Sequence, residues 1–156
     1  MKKSIYTIAA TACIILMCGF TSAARSASDG ARKSIENVID NYRGNENFEV
    51  VKIGGWMMKL AGTRNCSSAK INSMIVVDYS DCQNNVKSGF TIEVLKAAEG
   101  CTKLMEVQEG NEKVTFLGTV SEDGSTISNP MILTDDGELV CFFGTINASE
   151  LGDLRN

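Results

Sequence analysis

The sequence predicts an α+β protein of two layers, an antiparallel meander sheet with helices packed on one face. Three observations predict it. Two segments carry apolar residues at helical spacing, Ile35, Val38, Ile39 and Tyr42 in one and Val86, Phe90, Val94, Ala97 and Ala98 in the other. Strand-like runs in the second half are separated by Gly110-Asn111, Asp123-Gly124 and Asp136-Gly137, each a two-residue hairpin signal. The 156 residues show no internal repeat, low-complexity tract or linker, so one domain is expected.

The N-terminus reads as a secretory signal peptide. Lys2 and Lys3 form a basic start, Ile5 to Phe20 is apolar, and Thr21-Ser22-Ala23-Ala24 supplies small residues for cleavage after Ala23 or Ala24. A retained anchor fits less well, because the run falls short of the ~20 apolar residues that span a bilayer. A lipid-bearing Cys13 would shorten the apolar run to about eight residues, the low end for a leader. Cys18 follows the bulky Met17. The expected organisation is a cleaved leader at 1–24, an N-terminal helix within 25–47 and a single α+β domain at 48–156.

Removal of Lys2 and Lys3 from 15 basic residues leaves 13 against 19 acidic ones, a mature charge near −6. Such a chain lacks the basic footprint that nucleic acid or anionic lipid requires. There is no histidine. That absence removes Ser-His-Asp and Cys-His nucleophile systems, His-containing zinc sites and histidine pH switches.

The first helix is expected over Ser26 to Arg43, stopped by Gly44. Phe48 to Ile53 reads as a strand, and Gly54-Gly55 ends it. Trp56 to Ala61 follows as a helical turn with Trp56 and Leu60 toward the core. Gly62 to Lys70 is small and polar, a loop. Ile71 to Tyr79, with Met74-Ile75-Val76-Val77 inside it, reads as a strand buried on both faces. Ser80-Asp81-Cys82-Gln83 fits a capping box opening the second long helix, which Gly100 ends. Asn147-Ala148-Ser149-Glu150 fits another, ahead of Leu151 and Leu154.

Each hairpin signal fixes a register. The first places Met105 opposite Phe116 and Val107 opposite Val114. The second places Val120 opposite Ile127 and Phe116 opposite Met131. The third places Leu133 opposite Val140 and Met131 opposite Phe142. All these residues then share one apolar face, the expected seat of the helices. Leu117, Ile132, Cys141 and Phe143 fall on the other, mixed face, where the first helix or the tail gives partial cover. Pro130 has no N–H to donate, so a bulge is expected beside it.

Four cysteines outlast processing: Cys66, Cys82, Cys101 and Cys141. An even count in an exported chain admits disulfides. Cys82 and Cys101 flank one helix, about 28 Å apart at 1.5 Å per residue, beyond bonding reach. Cys101 and Cys141 are expected on opposite sheet faces and about 14 Å apart. Cys66–Cys82 alone, or Cys66–Cys101 with Cys82–Cys141, remain open beside four small buried thiols. Cys82 at a helix start would gain reactivity from the helix dipole, but Asp81 opposes this and no base accompanies it. The turns Glu122-Asp123-Gly124 and Asp135-Asp136-Gly137 lack the alternating ligands of a calcium loop. Gly54-Gly55 lacks the Lys-Ser/Thr of a phosphate loop. In Trp56-Met57-Met58 the two methionines cannot both face the core, which makes this cluster the candidate binding surface.

The blocks Phe48-Glu49-Val50-Val51, Val76-Val77-Asp78-Tyr79, Leu104-Met105-Glu106 and Glu138-Leu139-Val140-Cys141-Phe142-Phe143-Gly144 occur in an order that resembles a family of small exported proteins of Gram-negative bacteria. That family is the domain of unknown function numbered 4252, and the resemblance runs from about Phe48 to Leu154. It implies an envelope location and an α+β fold, and it carries no catalytic residue.

These readings converge on an exported, non-catalytic module of the periplasm or outer surface, binding an unidentified protein or other envelope component without cofactor or metal. A regulator or inhibitor of an envelope protein is a second expectation. A small enzyme using Cys82 or the pair Asp78/Asp81 is a third, opposed by the missing histidine.

Overall fold

The computed structural model describes residues 28–60, 70–110 and 112–148. The leader at 1–24, Cys66, and Ser149 and Glu150 of the last capping box lie outside them. The chain runs through α1 (Ser28–Tyr42), β1 (Glu49–Gly54), α2 (Gly55–Leu60), β2 (Lys70–Asp78), α3 (Asn84–Ala97), β3 (Thr102–Glu109), β4 (Glu112–Val120), β5 (Thr126–Thr134) and β6 (Glu138–Asn147). The six strands form one antiparallel sheet in the order β1-β2-β6-β5-β4-β3. It is an α+β fold, a four-stranded meander β3–β6 with β2 and β1 added beside β6.

This order sets the task of α3. β2 lies beside β6, while β3 is the far edge, so the chain must cross β6, β5 and β4 between them. Four strand spacings are about 19 Å. β2 and β3 run parallel, so α3, 14 residues and about 21 Å long, also carries the chain back along the strands. Phe90 and Val94 are its buried residues, and Ala98 just beyond it is buried too. α1 packs against α3, with Ile35 and Ile39 buried in the same core.

The capping box expected at Ser80 does not form. The amide and the hydroxyl of Ser80 both donate to Asp78 Oδ1, at 2.9 and 2.7 Å. The Cys82 amide donates to the Tyr79 carbonyl. A carboxylate is a stronger acceptor than the helix offers Ser80, so Asp78 closes a turn there. The helix begins one turn later, behind Gln83, which makes no side-chain cap bond.

Phe90 is wholly buried and joins the layers. Its ring meets Tyr79 at 4.7 Å, Phe48 at 5.0 Å and Tyr42 at 5.3 Å between centroids, each edge to face. One side chain of the crossing helix thereby touches the ends of α1 and β2 and the entry to β1. The Tyr42 hydroxyl also donates to Glu93 on α3, at 2.9 Å.

The hairpin registers hold near the first two turns and fail beyond them. Met105–Phe116, Val107–Val114 and Val120–Ile127 are cross-strand partners as expected. Phe116, however, pairs with Ile132, and Met131 pairs with Leu117 on one side and Cys141 on the other. Leu133 pairs with Leu139, not Val140. Two causes combine. The third turn uses three residues, since the Thr134 hydroxyl accepts the Glu138 amide at 2.9 Å and leaves 135–137 as the loop. In addition, register shifts line up across the sheet, at Leu104 in β3, Gly118 in β4, Asn129-Pro130 in β5 and Asn72 in β2. The bulge expected at Pro130 is one of this row. Asn129 adopts a positive φ of 47°, and its side-chain oxygen accepts the Gly144 amide at 3.2 Å. Gly144, at φ 151°, lets β6 approach β2 so closely that a Cβ there would strike the Lys70 carbonyl.

The slip turns β5 over, bringing Met131 and Leu133 to the face of Leu117 and Cys141 and sending Ile132 to that of Phe116. Leu117, Met131, Leu133, Leu139, Cys141 and Phe143 join the helices in one core, with Ile75 and Val77 of β2. Arg32 of α1 stacks 4.7 Å over the Phe143 ring. Helix cover therefore falls on the face expected to be mixed, not on that of Phe116 and Phe142. The opposite face is apolar as well. Val51, Val76, Val140, Ile132, Phe116 and Met105 are successive partners, one from each strand. Its four inner residues, Val76, Val140, Ile132 and Phe116, belong to a second cluster built from strand residues, with Met74 and Phe142.

Two stability outcomes follow from this packing. Phe90→Ala should cost about 3–5 kcal/mol in urea unfolding, because an aromatic lost from a closed core leaves a cavity. Gly144→Ala should cost on the order of 3 kcal/mol through backbone strain and overpacking, whereas Gly124→Ala in the open second turn should cost less.

Candidate functional site

The helix layer does not reach across the whole sheet. Between α3 and the strands β3 to β5 lies an open groove of about 750 Å³. One wall is the outer side of α3, with Lys87, Thr91, Ile92 and Leu95. The other is the β3–β4 hairpin, with Lys103, Glu106, Lys113 and Thr115, and Leu117 and Leu133 lie at the base. Ile92 is 53% exposed and Leu95 44%, so the α3 wall presents apolar surface to solvent. The hairpin wall is charged. Glu106 Oε2 accepts from Lys103 Nζ at 2.7 Å and Lys113 Nζ at 3.0 Å. The hydrogen bond from Lys103, then that from Lys113, holds the Glu106 carboxyl below the usual carboxylate range. Asp135 Oδ1 accepts the Lys113 amide at 2.9 Å and so belongs to the backbone of the hairpin. Three lysines and two carboxylates line the groove, a local excess of positive charge in an acidic chain.

Sequence reading did not single out this groove. Its signal was present in α3, where Ile92 and Leu95 stand off the stripe of Phe90 and Val94. Large apolar residues on the outer side of a helix have no core to serve.

Of the residues singled out from sequence, Trp56 and Met57 lie on α2, a short helix that contacts β1 and β2. Trp56 is 67% exposed and Met57 45%. The expectation that Trp56 faces the core is corrected by that exposure. α2 starts close against β2, since a Cβ on Gly55 would stand 2.6 Å from the Asn72 carbonyl. The side chain of Met58 and the whole of Cys66 lie outside the described residues. The groove and the Trp56-Met57 surface share no lining residue.

Cys82, Cys101 and Cys141 are free thiols. Cys82 is buried at the turn before α3, where its thiol donates to the Glu46 carbonyl at 3.3 Å. Burial pushes its pKa up, Lys87 draws it down, and Asp78 and Asp81 push it up again. Asp78 is itself engaged by Ser80, and the Asp81 carbonyl accepts the Asn47 side-chain amide. Cys141 is pushed up to about 12, first by burial and then by Cys101 and Glu36. The expectation that Cys101 and Cys141 occupy opposite faces is corrected, since both pack on the helix-side core. Cys141 stays with Leu117 and Phe143 as expected, and the register shift at Leu104 in β3 carries Cys101 to their side. Among the described residues no group of three cysteines or carboxylates is placed to hold a metal ion. The Asp123 carboxylate serves its own turn, accepting from Ser121 Oγ at 2.5 Å and from the Ser125 amide at 3.0 Å. These bonds, the Ser121 hydroxyl first, lower its pKa to about 2.

The chain matches a family model described as Domain of unknown function (DUF4252) over residues 42–154. It belongs to the DUF4252 family. The resemblance read from the strand blocks is thereby shown, and it begins a few residues earlier than Phe48. No curated protein and no solved structure matches the chain. The DUF4252 span takes in every strand, α2, α3 and the groove, but only Tyr42 of α1. Tyr42 is the α1 residue that meets the Phe90 ring. None of the described helices is long and apolar enough to cross a membrane.

The thiols give a pH dependence of stability. A thiol whose folded pKa stands above its unfolded value binds its proton more tightly when folded. Its effect is absent below the unfolded pKa, near 9, and stability is lost as pH rises toward 12. Tyr79, raised by burial, acts in the same direction. Urea midpoints should therefore fall between pH 8.5 and roughly 10.5, and the fall should be shallower in Cys141→Ala. Equal slopes would remove Cys141 from the account.

Proposed function

We propose that this DUF4252 protein is an exported, non-catalytic binding module of the bacterial envelope, which captures a protein or other envelope component through exposed apolar side chains. The observation that carries the reading is the exposure of Trp56 and Met57 on a helix of only six residues. A tryptophan set two-thirds in water gives the fold little burial energy, and tryptophan is among the residues that anchor interfaces. Met57 beside it is flexible and polarizable, suited to a contact surface that adapts. The mature charge near −6 favours a partner that is not strongly anionic at this surface.

The chemistry around the thiols and carboxylates supports binding over turnover. A nucleophilic cysteine works as its thiolate, and burial holds Cys82 in the thiol form at neutral pH. Asp78 spends its carboxylate on Ser80. Export follows from the leader at residues 1–24, and cleavage after Ala23 or Ala24 leaves the mature chain without it.

Affinity capture from envelope extract tests the reading. Mature protein should retain a partner, and Met57→Ser with Met58→Ser should weaken retention about tenfold, the scale of an interface anchor. The thermal midpoint should stay nearly unchanged. A large fall in the midpoint would place the methionines in the core. Turnover of a substrate that vanishes in Cys82→Ser or Asp78→Asn would replace the binding reading with an enzyme.

A further inference from the structure

We infer that the groove between α3 and the β3–β4 hairpin binds a single-chain carboxylate amphiphile, its alkyl chain along Ile92, Leu95 and Leu117 and its carboxylate among Lys87, Lys103 and Lys113. This deepens the reading of the protein as a binding module and rests on it, at a surface distinct from Trp56 and Met57.

The groove has the two kinds of wall such a ligand needs. Ile92 and Leu95 lie three positions apart on α3 and form one exposed apolar strip, which Leu117 and Leu133 continue at the base. A volume of about 750 Å³ falls within the usual range for small-molecule sites. An apolar strip alone would accept any oily chain, so the charge decides the head group. Lys103 and Lys113 both turn to the one carboxylate of Glu106, at 2.7 and 3.0 Å. Two ammonium groups offer six N–H donors, and a single carboxylate oxygen occupies two of them. Lys87 faces the groove from α3 with no ion pair among the described residues. A ligand carboxylate between these lysines completes what Glu106 leaves open. A cationic head meets like charge, and a neutral head forgoes the contact.

The chain as a whole is acidic, which opposes an anion at long range. Screening settles the contest. At physiological salt charges beyond about 8 Å count for little, so the local balance of three lysines against Glu106 and Asp135 outweighs the distant carboxylates. A vesicle surface is a poor match, since a flat anionic membrane would bring its headgroups against the full negative charge of the chain. The ligand is therefore the free amphiphile.

Titration calorimetry of the mature protein with octanoate, decanoate and dodecanoate, each below its micelle concentration, tests this. Affinity should rise by roughly fourfold per methylene until the strip is filled. Dodecyltrimethylammonium should bind at least tenfold more weakly than dodecanoate. Lys87→Gln should weaken dodecanoate by roughly two- to fivefold. Glu106→Gln, which removes the competing carboxylate without changing shape, should strengthen it by a similar factor. Ile92→Asp with Leu95→Asp should abolish it, and both sites are exposed enough for the fold to persist, as circular dichroism would confirm. The proposal is overturned if dodecanoate gives no saturable heat, if the cationic amphiphile binds equally well, if Glu106→Gln weakens binding, or if the chain associates with phosphatidylglycerol vesicles and not with free dodecanoate. Partner capture by the unaltered protein while dodecanoate fails to bind it would sink the groove and leave the binding module standing. Loss of both capture and dodecanoate binding in the unaltered protein would sink the two together.

Discussion

The fold hangs on the crossing from β2 to β3. Because β2 pairs with β6, the strand that follows it in sequence lies four positions away, and α3 must bridge the gap over one face of the sheet. That crossing lays α3 over the helix-side core, with Phe90 at the middle of the helix. Phe90 anchors the crossing, since its ring is held by Tyr42, Phe48 and Tyr79 at once. Edge-to-face pairs add only about 0.5–1.5 kcal/mol each beyond burial, but three on one buried ring couple α1, β1 and β2 to the crossing helix. The family span begins at Tyr42, the residue through which α1 joins this group.

The two faces of the sheet are finished differently at their edges. On the helix side the partners Ile75, Cys141, Met131 and Leu117 are flanked by Lys52 at one edge and Lys103 at the other. Charges at edge strands discourage pairing with another sheet. The opposite row has Val51 and Met105 at its ends, both exposed. A sheet apolar on both sides suits β2, β5 and β6, whose central residues are buried whichever way they point. It also explains the near-continuous run Met74-Ile75-Val76-Val77.

Much of the fold was legible because local chemistry and long-range structure agreed. The stripes Ile35-Ile39 and Phe90-Val94, the turns at Gly110 and Asp123-Gly124, and the pairing of β3 with β4 follow from periods and turn residues that tertiary context left alone. What misled was the row of bulges. A bulge moves every residue beyond it to the other face, and only Pro130 marked its bulge in the sequence. Gly118 and Gly144 signal close approach only once the neighbouring strands are in place. The third turn failed for a related reason, since Asp136-Gly137 reads as a two-residue loop until the hydrogen bond between Thr134 and Glu138 is seen. The capping box at Ser80 lost to Asp78, a carboxylate two residues back that sequence rules for helix starts do not weigh. The exposed position of the Trp56-Met57 pair was half legible: the methionines read as surplus to the core, but the tryptophan did not.

The groove is a product of the same crossing. Two helices side by side cover about 20 Å, and six strands span about 24 Å from edge to edge. The helix layer is held over β2, β6 and β5 by Phe90, Val94, Ile35 and Ile39, so the shortfall falls at the β3–β4 end. There the inner face of the sheet changes from Leu133 and Leu117 to Thr115, Glu106 and the lysines, because none of the described helices lies over it to exclude water. The outer side of α3 changes the other way, to Ile92 and Leu95. An apolar helix side and a charged hairpin thus face each other across a part of the helix-side sheet that the described helices leave open. A site of mixed chemistry in this position needs no strained backbone and no reactive group. It arises where a helix long enough to connect two strands is too narrow to cover the sheet between them.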